Sequence, residues 1–167
     1  AKDYGPDYLV THKNIIANHL QHVVYAINQP AAARGYQSVF WNISIYDRPY
    51  FDNMFGDFVF PDMGRPQWES VKRLQAFFMD CVNEERPKAI LTFPVVTAAM
   101  LIKDGTPVDT EFTDLCAHEL GKGNSFFIYQ SENADSLASC CRLRNEISDH
   151  TFSYSLGAGG VATGSIN

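Results

Sequence analysis

Two adjacent thiols, Cys140 and Cys141, stand in the run Ser139-Cys140-Cys141-Arg142-Leu143-Arg144. A cysteine reacts as its thiolate, and a neighbouring guanidinium favours that form, so Arg142 and Arg144 point to redox chemistry near an anion. A disulfide between adjacent cysteines would be strained and labile, which again suits chemistry better than stapling. Two buried cysteines in a loop fit the same residues equally well. Shortly afterwards comes Leu156-Gly157-Ala158-Gly159-Gly160-Val161-Ala162-Thr163-Gly164, a backbone suited to close approach by a ligand or another segment.

Known phosphate loops do not account for that run. Gly157-x-Gly159-x-x-Ala162 fits the loose dinucleotide fingerprint, but that fingerprint calls for a first strand before it and a helix with an acidic residue ~20 positions on, a context not expected here. A P-loop needs Lys directly ahead of its Ser or Thr, and no Lys stands ahead of Thr163 or Ser165 in Thr163-Gly164-Ser165.

The elements that must position these groups alternate. Asn14 to Asn28 reads as a helix, with Ile15, Ile16, His19, Leu20, Val23, Val24 and Ile27 on one face. His19 and His22 lack a third ligand at metal spacing, so a packed or surface pair is expected. Gln37 to Tyr46 reads as a strand, with Asn42 and Ser44 sharing a face that would line a polar cavity. Residues 46 to 66 read as an ordered loop with one helical turn, and Tyr50, Phe51, Phe55, Phe58 and Phe60 are expected to be buried in the core or against another part of a larger protein. Pro66 to Glu85 is a helix with the stripe Val71, Leu74, Phe77, Phe78 and Val82, and Cys81 near its end is expected to be an inert buried thiol. Ala89 to Phe93 reads as a short strand ended by Pro94, followed by a helical turn or two over Val95 to Lys103. Thr110 is the expected cap of a helix stopped by Gly121, and Ser125 to Tyr129 is the last strand. Helices between strands imply a parallel α/β unit, whose strand carboxyl ends carry active-site groups. No internal domain boundary is visible in residues 1–167.

Composition agrees with a folded chain. The 167 residues are 46% hydrophobic and 13% aromatic, and a net charge of -6 gives no pull toward a nucleic-acid backbone. No apolar run is long enough to span a membrane, and the first residues lack a signal-peptide core, so a cytoplasmic location is expected. Cys81, Cys116, Cys140 and Cys141 are expected to be reduced.

The run Cys140-Cys141-Arg142-Leu143-Arg144-Asn145-Glu146, with Phe152 to Ser165 after it, closely resembles the anaerobic (class III) ribonucleotide reductases, a family of glycyl radical enzymes. Phe40 to Arg48 and Leu91-Thr92-Phe93-Pro94-Val95 also resemble that family's barrel strands, and the resemblance covers essentially the whole chain. It implies a ten-stranded α/β barrel, of which this chain would be a part, with a cysteine loop threading its centre. It further implies that Cys141, matching the family's Cys-Arg step, is the thiyl residue. The thiyl takes the ribose 3′-hydrogen, the 2′-hydroxyl leaves as water, and a reductant supplies electrons. The expected nucleotide contacts are Ser139, Arg142, Gly159, Gly160 and Ser165, joined by Asn42 and Ser44 from the earlier strand.

Formate-using members resemble Met-Gly-Cys-Arg where this chain has Ser139-Cys140-Cys141-Arg142. Cys140 therefore suggests a thiol-based reductant such as a thioredoxin-like protein. The radical glycine, made by an iron-sulfur/S-adenosylmethionine activase, is expected on a segment outside this sequence, and no metal or cofactor is expected within it. The start without Met and the stop at Ser165-Ile166-Asn167 suggest an internal segment, partnered by the remaining reductase segments or chains. The alternatives are a non-catalytic nucleotide-binding or scaffold module derived from the barrel, and a thiol–disulfide protein using Cys140 and Cys141.

Overall fold

In a computed structural model, the chain is a mixed α/β unit built on a parallel sheet; residues 7–32 and 35–134 are described in full, and 136–140 and 143–146 as backbone. The elements are α1 (Tyr8–Thr11), α2 (Lys13–Asn28), β1 (Asn42–Tyr46), α3 (Arg48–Phe55), α4 (Trp68–Glu85), β2 (Val95–Lys103), β3 (Thr106–Pro107), α5 (Thr110–Gly121), β4 (Phe127–Ser131), β5 (Ser136–Cys140) and β6 (Leu143–Glu146). β2 is central: β1 pairs with it in parallel from Asn42↔Val95 to Tyr46↔Ala99, and β4 in parallel from Thr97↔Phe127 to Leu101↔Ser131.

Side chains alternate across a sheet, so this register sorts its two faces. Ile43, Ile45, Val96, Ala98 and Met100 face Leu20 and Val24 of α2, Phe78, Met79 and Val82 of α4, and Phe112 and Cys116 of α5. That layer is the core. The buried side of α4 runs through Gln75, Phe78, Met79 and Val82, one residue round from the predicted stripe, and leaves Leu74 exposed. Gln75 belongs there because its amide bonds both peptide groups of Tyr46: Nε2 donates to the carbonyl (3.0 Å) and Oε1 accepts from the N–H (2.7 Å). On α2, Ile15, His19, His22 and Val23 are exposed, so the buried face is narrower than the apolar pattern.

Several predicted elements need correction. Residues 89 to 93 form no strand. Thr92 and Phe93 N–H both donate to Asn28 Oδ1 (2.9 Å each), and Phe93 carbonyl accepts from Asn28 Nδ2 (2.6 Å), so a side chain takes the peptide groups a neighbouring strand would need. Ile90 is 99% exposed. The strand is instead Val95–Lys103, the stretch expected to turn helically, because β1 and β4 flank it on both sides. Of the predicted strand 37–46, only Asn42–Tyr46 pairs in the sheet, with Gln37 in an isolated bridge to Ala31. The segment read as a loop contains two turns of helix, α3, and buries Tyr50, Phe51 and Met54, whereas Phe58 and Phe60 stack edge-on at 5.2 Å on the surface. Helix α5 is capped by Asp109, whose side chain accepts from Phe112 N–H, rather than by Thr110. It ends at Gly121 as expected, with Lys122 as its C-cap, and Gly123 just beyond (φ 90°) takes the left-handed backbone that favours glycine.

Candidate functional site

The sheet face turned away from α2, α4 and α5 is the polar one. Register puts Asn42, Ser44 and Tyr46 of β1 beside Thr97 and Ala99 of β2, which in turn neighbour Phe127 and Tyr129 of β4. Thr97 Oγ1 donates to Asn42 Oδ1 across the strands (3.3 Å). Tyr46 hydroxyl is hydrogen-bonded to Ser44, and burial raises its pKa, so it stays a neutral phenol.

Asp47, one residue past β1, organises the carboxyl end of this face. It is fully buried, and both carboxylate oxygens are used: Oδ1 accepts from Tyr50 N–H (3.0 Å) and caps α3, while Oδ2 accepts from Leu101 N–H (2.6 Å) on β2. Burial pushes its pKa up, partly offset by those two bonds, with Asp109 adding a smaller push in the same direction. From α3, Tyr50 hydroxyl donates to Asn133 carbonyl (3.3 Å) and Asn53 Nδ2 to Ala134 carbonyl (3.4 Å). Ala134 packs with Tyr50, Met54 and Ala99, alongside Tyr46, Leu101 and Tyr129.

These two carbonyls belong to the link between β4 and β5. β5 contacts both β2 and β4, then pairs antiparallel with β6, from Ser136↔Glu146 to Cys140↔Leu143. The register slips by one between Ala138 and Cys140, which leaves Ser139 as an extra residue on β5.

Asn42 and Ser44 thus lie on the polar face, and Ser139 and Cys140 end the strand that crosses near β2 and β4. Cys141, Arg142, Gly159, Gly160 and Ser165 lie outside the described residues. Sequence reading missed Asp47, Tyr50, Asn53 and Thr97. Asp47 followed by Pro49 in the first turn of α3 was the available signal, a cap residue ahead of a helix-starting proline. Among the described residues no group of three His, Cys, Asp or Glu could hold a metal, and no helix is long and apolar enough to cross a membrane. An open depression of about 500 Å³ is lined by Gln21, His22, Tyr25 and Ala26 of α2 and by Gln29, its C-cap, so it belongs to the surface of one helix and its end and not to the polar face.

Residues 3–167 match the family model described as anaerobic ribonucleoside-triphosphate reductase. The chain belongs to that family. Solved structures of the anaerobic ribonucleotide reductase from Thermotoga maritima are similar to it. One with dATP bound in the specificity site is 31% identical (TM-score 0.70), covering 81% of this chain and 22% of that one. Another, in complex with dATP and CTP, is 31% identical (TM-score 0.70), covering 87% and 24%. A third, with citrate in the active site, is 28% identical (TM-score 0.67), covering 80% and 24%. This chain therefore spans about a quarter of the length of those reductases. No curated protein matches it.

The two remaining cysteines of this reductase segment are buried and free. Burial pushes the thiol of Cys81 from an ordinary 9.0 up to about 11, and that of Cys116 up to about 12; the nearby acids Glu84 and Asp109 add to the respective shifts. At pH 8 the thiolate fraction is then only about one in a thousand for Cys81 and one in ten thousand for Cys116. Mass spectrometry after maleimide labelling of native protein should find both unmodified, with modification appearing on unfolding. Rapid native labelling at either position would refute their burial. Because both native pKa values are raised, their contribution to stability is complete below the unfolded thiol pKa and is lost as pH rises toward 11 to 12.

Proposed function

We propose that this chain is a catalytic-barrel segment of an anaerobic ribonucleotide reductase, one continuous piece of a single catalytic domain, that works with the rest of that enzyme to convert ribonucleotides to deoxyribonucleotides. The observation that carries the proposal is a parallel sheet with α2, α4 and α5 on one face and, on the other, the polar groups Asn42, Ser44 and Thr97 next to the patch where α3 packs on Ala99, beside which a cysteine-ended strand, β5, contacts β2 and β4. A parallel sheet backed by three helices, with polar side chains left on its other face, suits a barrel wall. β4 has no second neighbour among the described residues and exposes Phe127 and Ile128, consistent with further strands closing a ten-stranded barrel around the cysteine loop.

In this reading Asn42, Ser44 and Thr97 offer hydrogen bonds to a bound nucleotide from the barrel wall. Ser139, Arg142, Gly159, Gly160 and Ser165 add contacts around the cysteine loop and the phosphates. A glycyl radical supplied from outside this sequence, and generated by an iron-sulfur/S-adenosylmethionine activase, provides the one-electron oxidant. Cys141 gives up its thiol hydrogen atom to that radical and takes another from the ribose 3′ carbon. The 2′-hydroxyl gains a proton and leaves as water, two electrons and a second proton from a dithiol reductant, oxidised to its disulfide, put a hydrogen on the 2′ carbon, and Cys141 returns the 3′ hydrogen; a thioredoxin-like protein is the reductant class that Cys140 suggests. The enclosed barrel keeps the radical from solvent. That a similar reductase was solved with dATP and CTP bound supports a nucleoside triphosphate as the substrate class.

The deciding experiment uses the full-length enzyme that carries this sequence, activated anaerobically and given a ribonucleoside triphosphate and a dithiol reductant. Deoxyribonucleotide formation dependent on activation is the expected result. Tight nucleotide binding with no turnover in activated enzyme would favour the non-catalytic nucleotide-binding module instead.

A further inference from the structure

We infer that Tyr50 and Asn53 of α3 are positioning residues that set where the β5–β6 hairpin leaves the sheet, and through it the placement of Cys140 at the end of β5; this rests on the function proposed above. The residues link in a short chain. Asp47 fixes the start of α3 to β2 through Leu101 N–H, and one turn later Tyr50 hydroxyl holds Asn133 carbonyl. Asn53, three residues further round the same helix, reaches Ala134 carbonyl, and β5 begins at Ser136. Helix α3 therefore ties the link between β4 and β5 back to the end of β2.

Tyr50 is 0% exposed, and a position that needed only apolar bulk would be served by phenylalanine. A buried hydroxyl costs free energy unless it finds a partner, and here one partner is a connector carbonyl 83 residues away in sequence. Burial of the ring belongs to the core; the hydroxyl bond belongs to the placement of the hairpin. Tyr50→Phe separates the two, since it keeps the ring and removes the bond.

The test uses the activated full-length enzyme, with radical content counted by electron paramagnetic resonance. Displacing a reacting group by about 1 Å costs on the order of a hundredfold in rate. Tyr50→Phe is therefore expected to lower kcat per radical roughly 10- to 100-fold. Radical content should be unchanged and KM for the nucleotide should stay within about twofold, since uniform substrate binding is not what is lost. Asn53→Ala should lower kcat in the same direction by less, and Arg48→Ala, which removes only the exposed pair with Asp52 on the same helix, should leave it unchanged. Hydrogen exchange reads the bracket independently of turnover: amides of 136–140 should exchange about tenfold faster in Tyr50→Phe, with those of β1 and β2 unaffected. Unchanged exchange at 136–140 overturns the inference even if the enzyme reduces ribonucleotides. So does wild-type kcat per radical, or a loss confined to KM or radical content. A wild-type enzyme without turnover whose variant still loosens 136–140 would retire the proposed reaction and keep the bracket.

Discussion

Replacing Cys141 by serine should abolish ribonucleotide reduction in the full-length, activated enzyme. The argument is chemical. The proposed relay requires a side chain whose hydrogen atom can be removed by a carbon-centred radical and regained from the substrate. A thiol S–H bond is weak enough to serve; an alcohol O–H is not. Serine retains the size and hydrogen-bonding capacity of the side chain while removing the whole radical route. The loss is at least the ~8 kcal/mol that marks the low end of enzymatic rate acceleration, so turnover should fall below detection. Nucleotide affinity, measured by equilibrium binding, should change by no more than about twofold, because the lost interaction belongs to the reaction and not to ground-state binding. The adjacent thiol gives the control. Cys140→Ser should bind nucleotide normally and lose turnover driven by a thioredoxin-like reductant. If Cys141→Ser turned over and Cys140→Ser did not, the two roles would have to be exchanged.

What was legible in the sequence follows from where the folding information sits. Helices α2 and α4 could be read because apolar residues recur at helical spacing and each packs on one side of a sheet, and α5 from the cap and stop residues at its ends. β1 could be read because Asn42 to Tyr46 alternates polar and apolar side chains, and the structure puts these on opposite faces. β2 could not be read from composition. Val95-Val96-Thr97-Ala98-Ala99-Met100-Leu101 contains good helix formers, and only flanking by β1 and β4 makes it extended. One local signal did mark its end. Asp104-Gly105 has positive φ at both residues (51° and 75°) and joins Lys103 to its partner Thr106, the tight turn of a hairpin.

The proposed site is signalled in the sequence by its cysteines and much less so by the groups that would support it. Adjacent thiols beside arginine are conspicuous in a string of letters. Asp47, Tyr50 and Asn53 matter through bonds to residues far along the chain, and no local pattern announces those partners. The same holds for Asn28, which looks like an ordinary helix end yet takes up the peptide groups of Thr92 and Phe93.

Asp47→Ala should be the most damaging of the supporting substitutions. Two losses combine. Helix α3 loses its cap, worth about 0.5–2 kcal/mol, and Leu101 N–H is left without its carboxylate partner in a part-buried position, at about 1–3 kcal/mol. Against this, the variant no longer buries a carboxylate, the effect that raises the pKa of Asp47. The net cost should be about 3 kcal/mol, or roughly a hundredfold faster hydrogen exchange at Leu101 and along α3. Asp47→Asn should fall between, since the amide oxygen can still accept from Tyr50 N–H while its nitrogen confronts the Leu101 donor. Asp109 offers the comparison, because it also caps a helix and also accepts a second N–H, from Arg48 (3.0 Å), but that second bond is exposed. Water can replace Asp109 at Arg48 N–H, so Asp109→Ala should cost only the value of a cap, about 0.5–2 kcal/mol. Equal exchange rates in the two alanine variants would show that the bond to Leu101 contributes nothing, and that β2 and α3 are held together by the backbone bond from Asp47 N–H to Ala99 carbonyl (3.2 Å) and by the packing of Tyr50 and Met54 on Ala99.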